Sequence, residues 1–337
     1  MKKIAFALAI LLLTAAGAAT RYSVAGGLEE FLAKFPDPAE IYFQTKTPEG
    51  VGFYTITTPS GEIAPTGVFG RGMDGVASAG LLVHEGPGAD GVEDIFFEKN
   101  GEEPVSFGGP MRDLQPSVSP GGTVAFTTET APNCFDLALW DSSHGMRTLD
   151  LGIGDETEPV ILYAAPAGDG PVIVLFQWSS GGEFQLYYAV IGPDDEIFKV
   201  RRLFVFAGRA LSPDLYDPAP GRAPADGDTL PLAFHGLPDE DDQRDLYIGE
   251  LTFHGDLSDP AGITLTADEP EQITICLADD KYPELYRDTA GTLWCFFASF
   301  RDGDYDIYAL DLGAMELYQL TDMSGTQTAP YVYAPGR

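Results

Sequence analysis

The sequence predicts an all-β fold, a six-bladed β-propeller whose ring is closed by its C-terminal strand. Three observations predict it. A two-strand unit recurs along the chain, a second two-strand unit precedes each copy, and the two ends of the chain supply complementary halves of one more unit. A four-stranded sheet with two apolar faces cannot stand alone, and radial packing of several such sheets buries both faces.

The clearest copy is "DIYALDLGAMELYQLT", opening at Asp306: alternating apolar residues, a Gly-containing turn, then a second apolar strand. Gly52 opens "GFYTITTPSGEIAPTGV", Asp94 "DIFFEKNGEEPVSF", Asp136 "DLALWDSSHGMRTLDL", Gln185 "QLYYAVIGPDDEIFKV" and Asp245 "DLYIGELTFHGDLSDPAGITL". The starts are about 40 residues apart at first and about 60 later, the increase falling in Pro/Gly/Asp-rich loops. The preceding half-unit is clearest in "QPSVSPGGTVAFTTE" (Gln115 to Glu129) and "YPELYRDTAGTLWCFFAS" (Tyr282 to Ser299): Pro, an extended run, a Gly turn, a strongly apolar strand. The chain ends in "APYVYAPGR", a first strand with no blade after it, while "PAEIYFQT" (Pro38 to Thr45) is a second strand with no first strand before it. Joining them completes the first blade and removes two free sheet edges.

The pattern P-x-x-S-P-x-G, apolar strand, D-[IL]-Y, G, L-T, clearest in Leu114 to Gly152 and Tyr282 to Thr321, resembles the TolB-like propeller repeat. That resemblance implies the same six-bladed architecture over nearly the whole chain. The mixed α/β domain that precedes the propeller in TolB itself has no counterpart; only a short segment, with one small helix expected at "LEEFLAKF", precedes Pro36. The expected organisation is a signal peptide over 1–18, an N-terminal segment over 19–37 and the propeller over 38–337.

The signal peptide is read from Lys2 and Lys3, the apolar run Ile4 to Leu13 and the small-residue site Ala16-Gly17-Ala18. Export to a periplasm or the extracellular space follows. The 337 residues carry 52 Asp+Glu against 19 Lys+Arg, a net charge of −33. Such a surface repels nucleic acid and anionic headgroups, so neither nucleic-acid binding nor membrane insertion is expected; a protein or small ligand, cationic in character, is the expected partner. Three cysteines, Cys134, Cys276 and Cys295, do not make a disulfide framework.

Catalytic motifs are absent: there is no G-x-S-x-G elbow and no H-E-x-x-H, and the four histidines, His84, His144, His235 and His254, are scattered. "DGDYD" (Asp302 to Asp306) lacks the spacing and the closing Glu of an EF-hand, and Asp306 recurs as Asp94, Asp136 and Asp245, which points to a local bond at a strand start. No cofactor and no metal are expected. In a four-stranded blade the second-to-third-strand loops and the blade-to-blade connections emerge on one face, and acidic residues such as Glu85, Asp90, Glu93 and Glu129 are expected in loops there. The candidate binding residues lie on the connections: Arg112 and Asp113, Glu156 and Glu158, then Asp279, Asp280, Lys281 and Tyr282. The expected function is a non-catalytic scaffold that binds through this acidic face. The alternative is a propeller hydrolase or lyase acting on a sugar, lactone or peptide with carboxylates at the channel mouth.

Overall fold

The computed structural model describes residues 22–47, 50–76, 79–99, 101–152, 154–166, 169–216, 221–237, 243–275 and 278–335. The signal peptide, the acidic stretch 238–242 and Cys276 lie outside the described residues. Six antiparallel sheets of four principal strands form the ring. Blade 1 runs Gln327–Tyr333, Glu40–Thr47, Gly50–Thr57, Glu62–Phe69 from the axis outward. The inner strands of blades 2 to 6 are Arg71–Val76, Asp113–Val118, Asp155–Ala164, Arg209–Leu215 and Asp280–Arg287.

The ring closes as the sequence predicts. Ile41 pairs with Val332, Tyr42 with Tyr331 and Thr45 with Gln327, so the first blade is built from both ends of the chain. A second closure has no sequence signal: Ser23–Gly26 adds a parallel fifth strand to the outer edge of blade 6, Val24 opposite Leu317. The helix Leu28–Lys34 follows it and docks between blades 6 and 1. At seven residues it is too short to be stable alone. Phe31, fully buried, holds it there, edge-on to Trp294 at 5.3 Å and to Phe296 at 5.9 Å. Asp37 then anchors the segment by accepting the Tyr286 hydroxyl at 2.7 Å.

The apolar alternation of each strand fills the spaces between blades. Among the described residues five clusters occupy five of the six interfaces. Second strands are the most buried, as in Val124–Ala131 and Leu293–Ser299, because they face a neighbour on both sides. The interface between blades 1 and 2 is filled differently: His84 stacks on Phe96 at 5.3 Å and meets Phe53 edge-on at 6.0 Å. Cys295 is buried in a second strand and Cys134 is exposed; they are not joined to each other.

Each inner strand carries the same irregularity. Gly72, Gln115, Glu158, Ser212, Tyr282 and Ala329 all have φ between 45° and 54°, the left-handed region. The pairing register slips at each of these points, which makes them β-bulges. In five blades a proline follows, Pro116, Pro159, Pro213, Pro283 and Pro330, and in blade 2 Met73 stands there. Proline suits an edge strand because it brings no N–H to leave unpaired. A left-handed conformation at five non-glycine residues is costly, and its repetition around the ring marks it as architectural.

Two outcomes follow. Deleting residues 329–337 exposes the inner edge of blade 1 and should remove more than about 5 kcal/mol, most of the stability of a typical domain; a truncated chain that melts like the full one would refute the closure. Replacing Ala329 by Gly relieves the left-handed strain and should raise unfolding stability by about 0.5–1 kcal/mol in urea titration. A loss instead would mean that the bulge is not strained.

Candidate functional site

The six inner strands enclose a central cavity of about 720 Å³. Two rings of side chains line it, set by the bulge. The residue at the bulge forms the upper ring: Gly72, Gln115, Glu158, Ser212, Tyr282, Ala329. The residue after the proline, or after Met73, forms the lower ring: Asp74, Ser117, Val160, Asp214, Glu284, Tyr331.

The lower ring solves a backbone problem. An inner strand faces the axis with N–H groups that no further strand can pair, and a buried N–H without a partner is costly. The side chain on one blade accepts that N–H from the next. Val118 N–H donates to Asp74 Oδ2 at 2.9 Å, Ile161 N–H to Ser117 Oγ at 3.1 Å, Leu285 N–H to Asp214 Oδ2 at 2.6 Å and Val332 N–H to Glu284 Oε1 at 3.3 Å. Where blade 2 follows blade 1, the Gly75 N–H turns back to Asp74 Oδ1 at 2.7 Å. A Cβ on Gly75 would meet the Tyr331 hydroxyl at 2.6 Å, so this position needs the bare backbone.

The upper ring is a network of its own. Gln115 donates through Nε2 to Glu158 Oε1 at 3.2 Å and accepts the Glu158 N–H at 3.3 Å. The Ser212 N–H donates to Glu158 Oε2 at 2.6 Å. Tyr282 N–H donates to His235 Nδ1 at 3.2 Å, which leaves the ring proton on Nε2. Burial, then Arg244 and Lys281, hold His235 well below the usual imidazole range, so it is neutral. Glu85 lines the cavity from the second strand of blade 2, only 5% exposed, and its Oε2 has no hydrogen-bond partner. Glu85 therefore sits in the wall of the channel, where sequence alone placed it in a surface loop.

Five carboxyl groups line the cavity, Asp74, Glu85, Glu158, Asp214 and Glu284, against one cation among the described lining residues, Arg71. Burial raises Asp74 to about 6 and Asp214 to about 7, the latter also through the charge of Asp74. Glu85 is pushed up to about 7 by burial, against the pull of Arg71. Glu284 lies well above the carboxylate range through burial and then Asp214 and Asp74, and Glu158 is raised by burial.

The eight connection residues expected from sequence separate into three places. Glu158 and Tyr282 line the channel. Arg112, Asp279 and Lys281 lie at the rim: Arg112 pairs with Glu129 at 2.9 Å, Asp279 takes Arg244 at 2.9 Å, and Lys281 Nζ stands 3.7 Å from the Tyr305 ring centre. Asp113, Glu156 and Asp280 are fully buried between blades. Asp280 takes both 2.9 Å bonds from Arg301, whose guanidinium lies against the Tyr22, Phe297 and Tyr308 rings. Glu156 is pushed up to about 8 by burial and by Asp136 beside it. The recurrent Asp at the third-strand start bonds locally: Asp306 accepts Thr321 Oγ1 at 3.1 Å and Asp136 accepts Thr130 Oγ1 at 2.7 Å. Sequence reasoning missed Arg71, Asp74, Gln115, Ser212, Asp214, Glu284 and Tyr331; for Gln115, Ser212, Asp214, Glu284 and Tyr331 the signal was a position immediately before or after the recurring proline.

Comparison with solved structures gives the fold a context. The chain is similar to TolB from Acinetobacter baumannii, with a TM-score of 0.58 at 17% identity over 90% of this chain and 69% of that one. It is similar also to a chain provisionally named TolB from Agrobacterium tumefaciens, with a TM-score of 0.52 at 15% identity over 88% of this chain and 98% of that one. At these identities the likeness is one of fold, the six-bladed propeller of TolB. No family model matches the sequence, and no curated protein matches it.

The raised carboxyls fix how stability depends on pH. Between about pH 4 and pH 7 the folded chain keeps protons that the unfolded chain releases, so stability falls as pH rises through that window. Glu129, held down to about 2 by Arg112, acts in the opposite sense: its stabilisation is lost as pH falls below about 4. Urea unfolding should therefore be most demanding near pH 4 and weaker by a few kcal/mol near pH 8. In Asp214→Asn, which cannot ionise, the drop should shrink. A flat profile from pH 5 to 8 would refute the buried carboxyl ring.

Proposed function

We propose that this chain is an exported, non-catalytic binding module that recognises a cationic partner, a protein or a small ligand, through its acidic loop face and the mouth of its channel. One observation carries the reading: five carboxyl groups face a cavity of about 720 Å³ with one guanidinium among the described lining residues, in a chain of net charge −33. A cavity of this size lies in the range of small-molecule sites, and a lumen lined by one sign of charge focuses the field toward the opposite sign. On this reading Arg112, Asp279 and Lys281 dress the rim, Glu158 and Tyr282 face the occupant, and Asp113, Glu156 and Asp280 keep the connections rigid from behind. The scaffold suits the role: bulged, proline-stiffened strands hold the rings in place while the loops around them are free to vary.

Catalysis by a hydrolase or lyase on a sugar, lactone or peptide is the alternative, and Glu85 favours it. A carboxyl pushed up to about 7, with an unpartnered oxygen facing a cavity, has the acidity that general acid–base chemistry uses near neutral pH. Among the described residues no hydrogen bond joins the Glu85 carboxyl to the Ser212 hydroxyl or to another carboxyl of the lining, which is why binding is preferred.

The chain from residue 19 onward, immobilised and exposed to envelope and medium fractions of its source, should retain a basic partner at about 0.05 M salt and release it at about 1 M, where charges are screened within a few ångströms. Retention that ignores salt, or none at either salt, would refute the acidic-face reading. Turnover of a screened substrate that Glu85→Gln abolishes would establish the catalytic alternative in its place.

A further inference from the structure

We propose that the channel binds a linear polyamine, a chain of ammonium groups separated by short runs of methylenes, lying along the propeller axis. This rests on the cationic-partner reading above and names the class of small molecule.

The lining is layered along the axis. Glu85 and Glu158 stand at the level of the upper ring, Asp74, Asp214 and Glu284 at the level of the lower. The rings lie two positions apart on a bulged stretch where three residues span two of the neighbouring strand, so the rise between them is about 4–5 Å. Between the carboxyl layers lies a layer of proline: Pro116, Pro159, Pro213, Pro283 and Pro330 all line the cavity. The sequence of surfaces met along the axis is therefore anionic, apolar, anionic. A polyamine offers the complement, an ammonium, a stretch of three or four methylenes, and a second ammonium.

Glu85 supplies the independent indication of a ligand. Its residue is 95% buried, yet Oε2 has no partner. An unpaired buried carboxylate oxygen is unfavourable, and an ammonium donor relieves it directly. In the lower ring Asp214 and Glu284 sit on adjacent blades with Asp74 across the lumen, each disfavouring the charge of the others. A second ammonium among them removes that repulsion. A point cation fits less well. A divalent ion wants six or more oxygens converging on one centre, and among the described residues no group of three or more His, Cys, Asp or Glu side chains is placed to hold one.

The test is calorimetric titration of the chain from residue 19 onward with spermidine at about 0.15 M salt. One molecule should bind per chain. 1,4-Diaminobutane should bind about tenfold more weakly and butylamine not measurably, because each ammonium lost forfeits a charge-assisted bond. Glu85→Gln and Asp214→Asn should each weaken spermidine binding about tenfold, while Glu62→Gln, an exposed acid on the outer strand of blade 1, should leave it unchanged. Both channel substitutions keep an acceptor oxygen for the backbone, so melting curves should confirm folded protein. Many weak sites, equal losses in all three variants, or magnesium ions displacing spermidine at matched charge would overturn the proposal in favour of diffuse surface attraction. No spermidine binding alongside salt-sensitive capture of a basic protein would overturn the polyamine alone; failure of both would overturn the cationic reading as well.

Discussion

Six strands that face a common axis must satisfy their inner backbone edges without a seventh layer of sheet, and most of this molecule answers to that constraint. Proline removes one donor from each edge in five blades. The left-handed bulge before it shifts the register so that the next side chain stands against the neighbouring blade. Asp74, Ser117, Asp214 and Glu284 then accept the N–H groups that remain. Strain at the bulge, acidity in the channel and rigidity between blades are three aspects of one solution.

The same constraint explains why a site and a scaffold are hard to separate here. A carboxylate is a strong acceptor for a backbone N–H, so acids in the inner ring have a structural reason to exist. Burying several around one lumen makes their charges expensive, and the folded chain holds protons in response. Serine performs the same backbone duty in blade 3 without charge, and blade 4 places Val160 at the position. Acids are thus not obligatory for the architecture. Their concentration on blades 2, 5 and 6 gives the channel a polarity that ring-building alone does not require.

Much of the fold was legible because the repeat writes its period into the sequence. The Asp306 template and its five relatives located every third strand, and "APYVYAPGR" against "PAEIYFQT" located the closure. The strand Ser23–Gly26 was not legible: three exposed residues and a glycine, paired through backbone, leave no hydrophobic pattern to read. The site was legible in part. The connections were found, but whether a residue on one faces the rim, the lumen or the next blade depends on its offset from the bulge. Glu156 and Glu158 are two residues apart, yet one is sealed between blades and the other lines the channel. In an unbroken strand, residues two apart would share a face; the left-handed residue breaks that rule, and its own residue type, which changes from blade to blade, did not announce it. Asp74 and Asp214 lie far apart in sequence and meet only across the ring, so no local motif could join them.

Closure by strands from opposite ends of the chain also sets an order in time. Ile41 finds Val332 only after nearly all of the intervening polypeptide is available, and contacts of such long separation form slowly. Until then the second strand of blade 1 has no inner partner, and neither Tyr331 nor the Val332 N–H that Glu284 holds is in place. The lumen is thus the last part of the molecule to come into being. A partly folded chain therefore has no enclosed lumen, and anything that enters the channel meets only a finished ring.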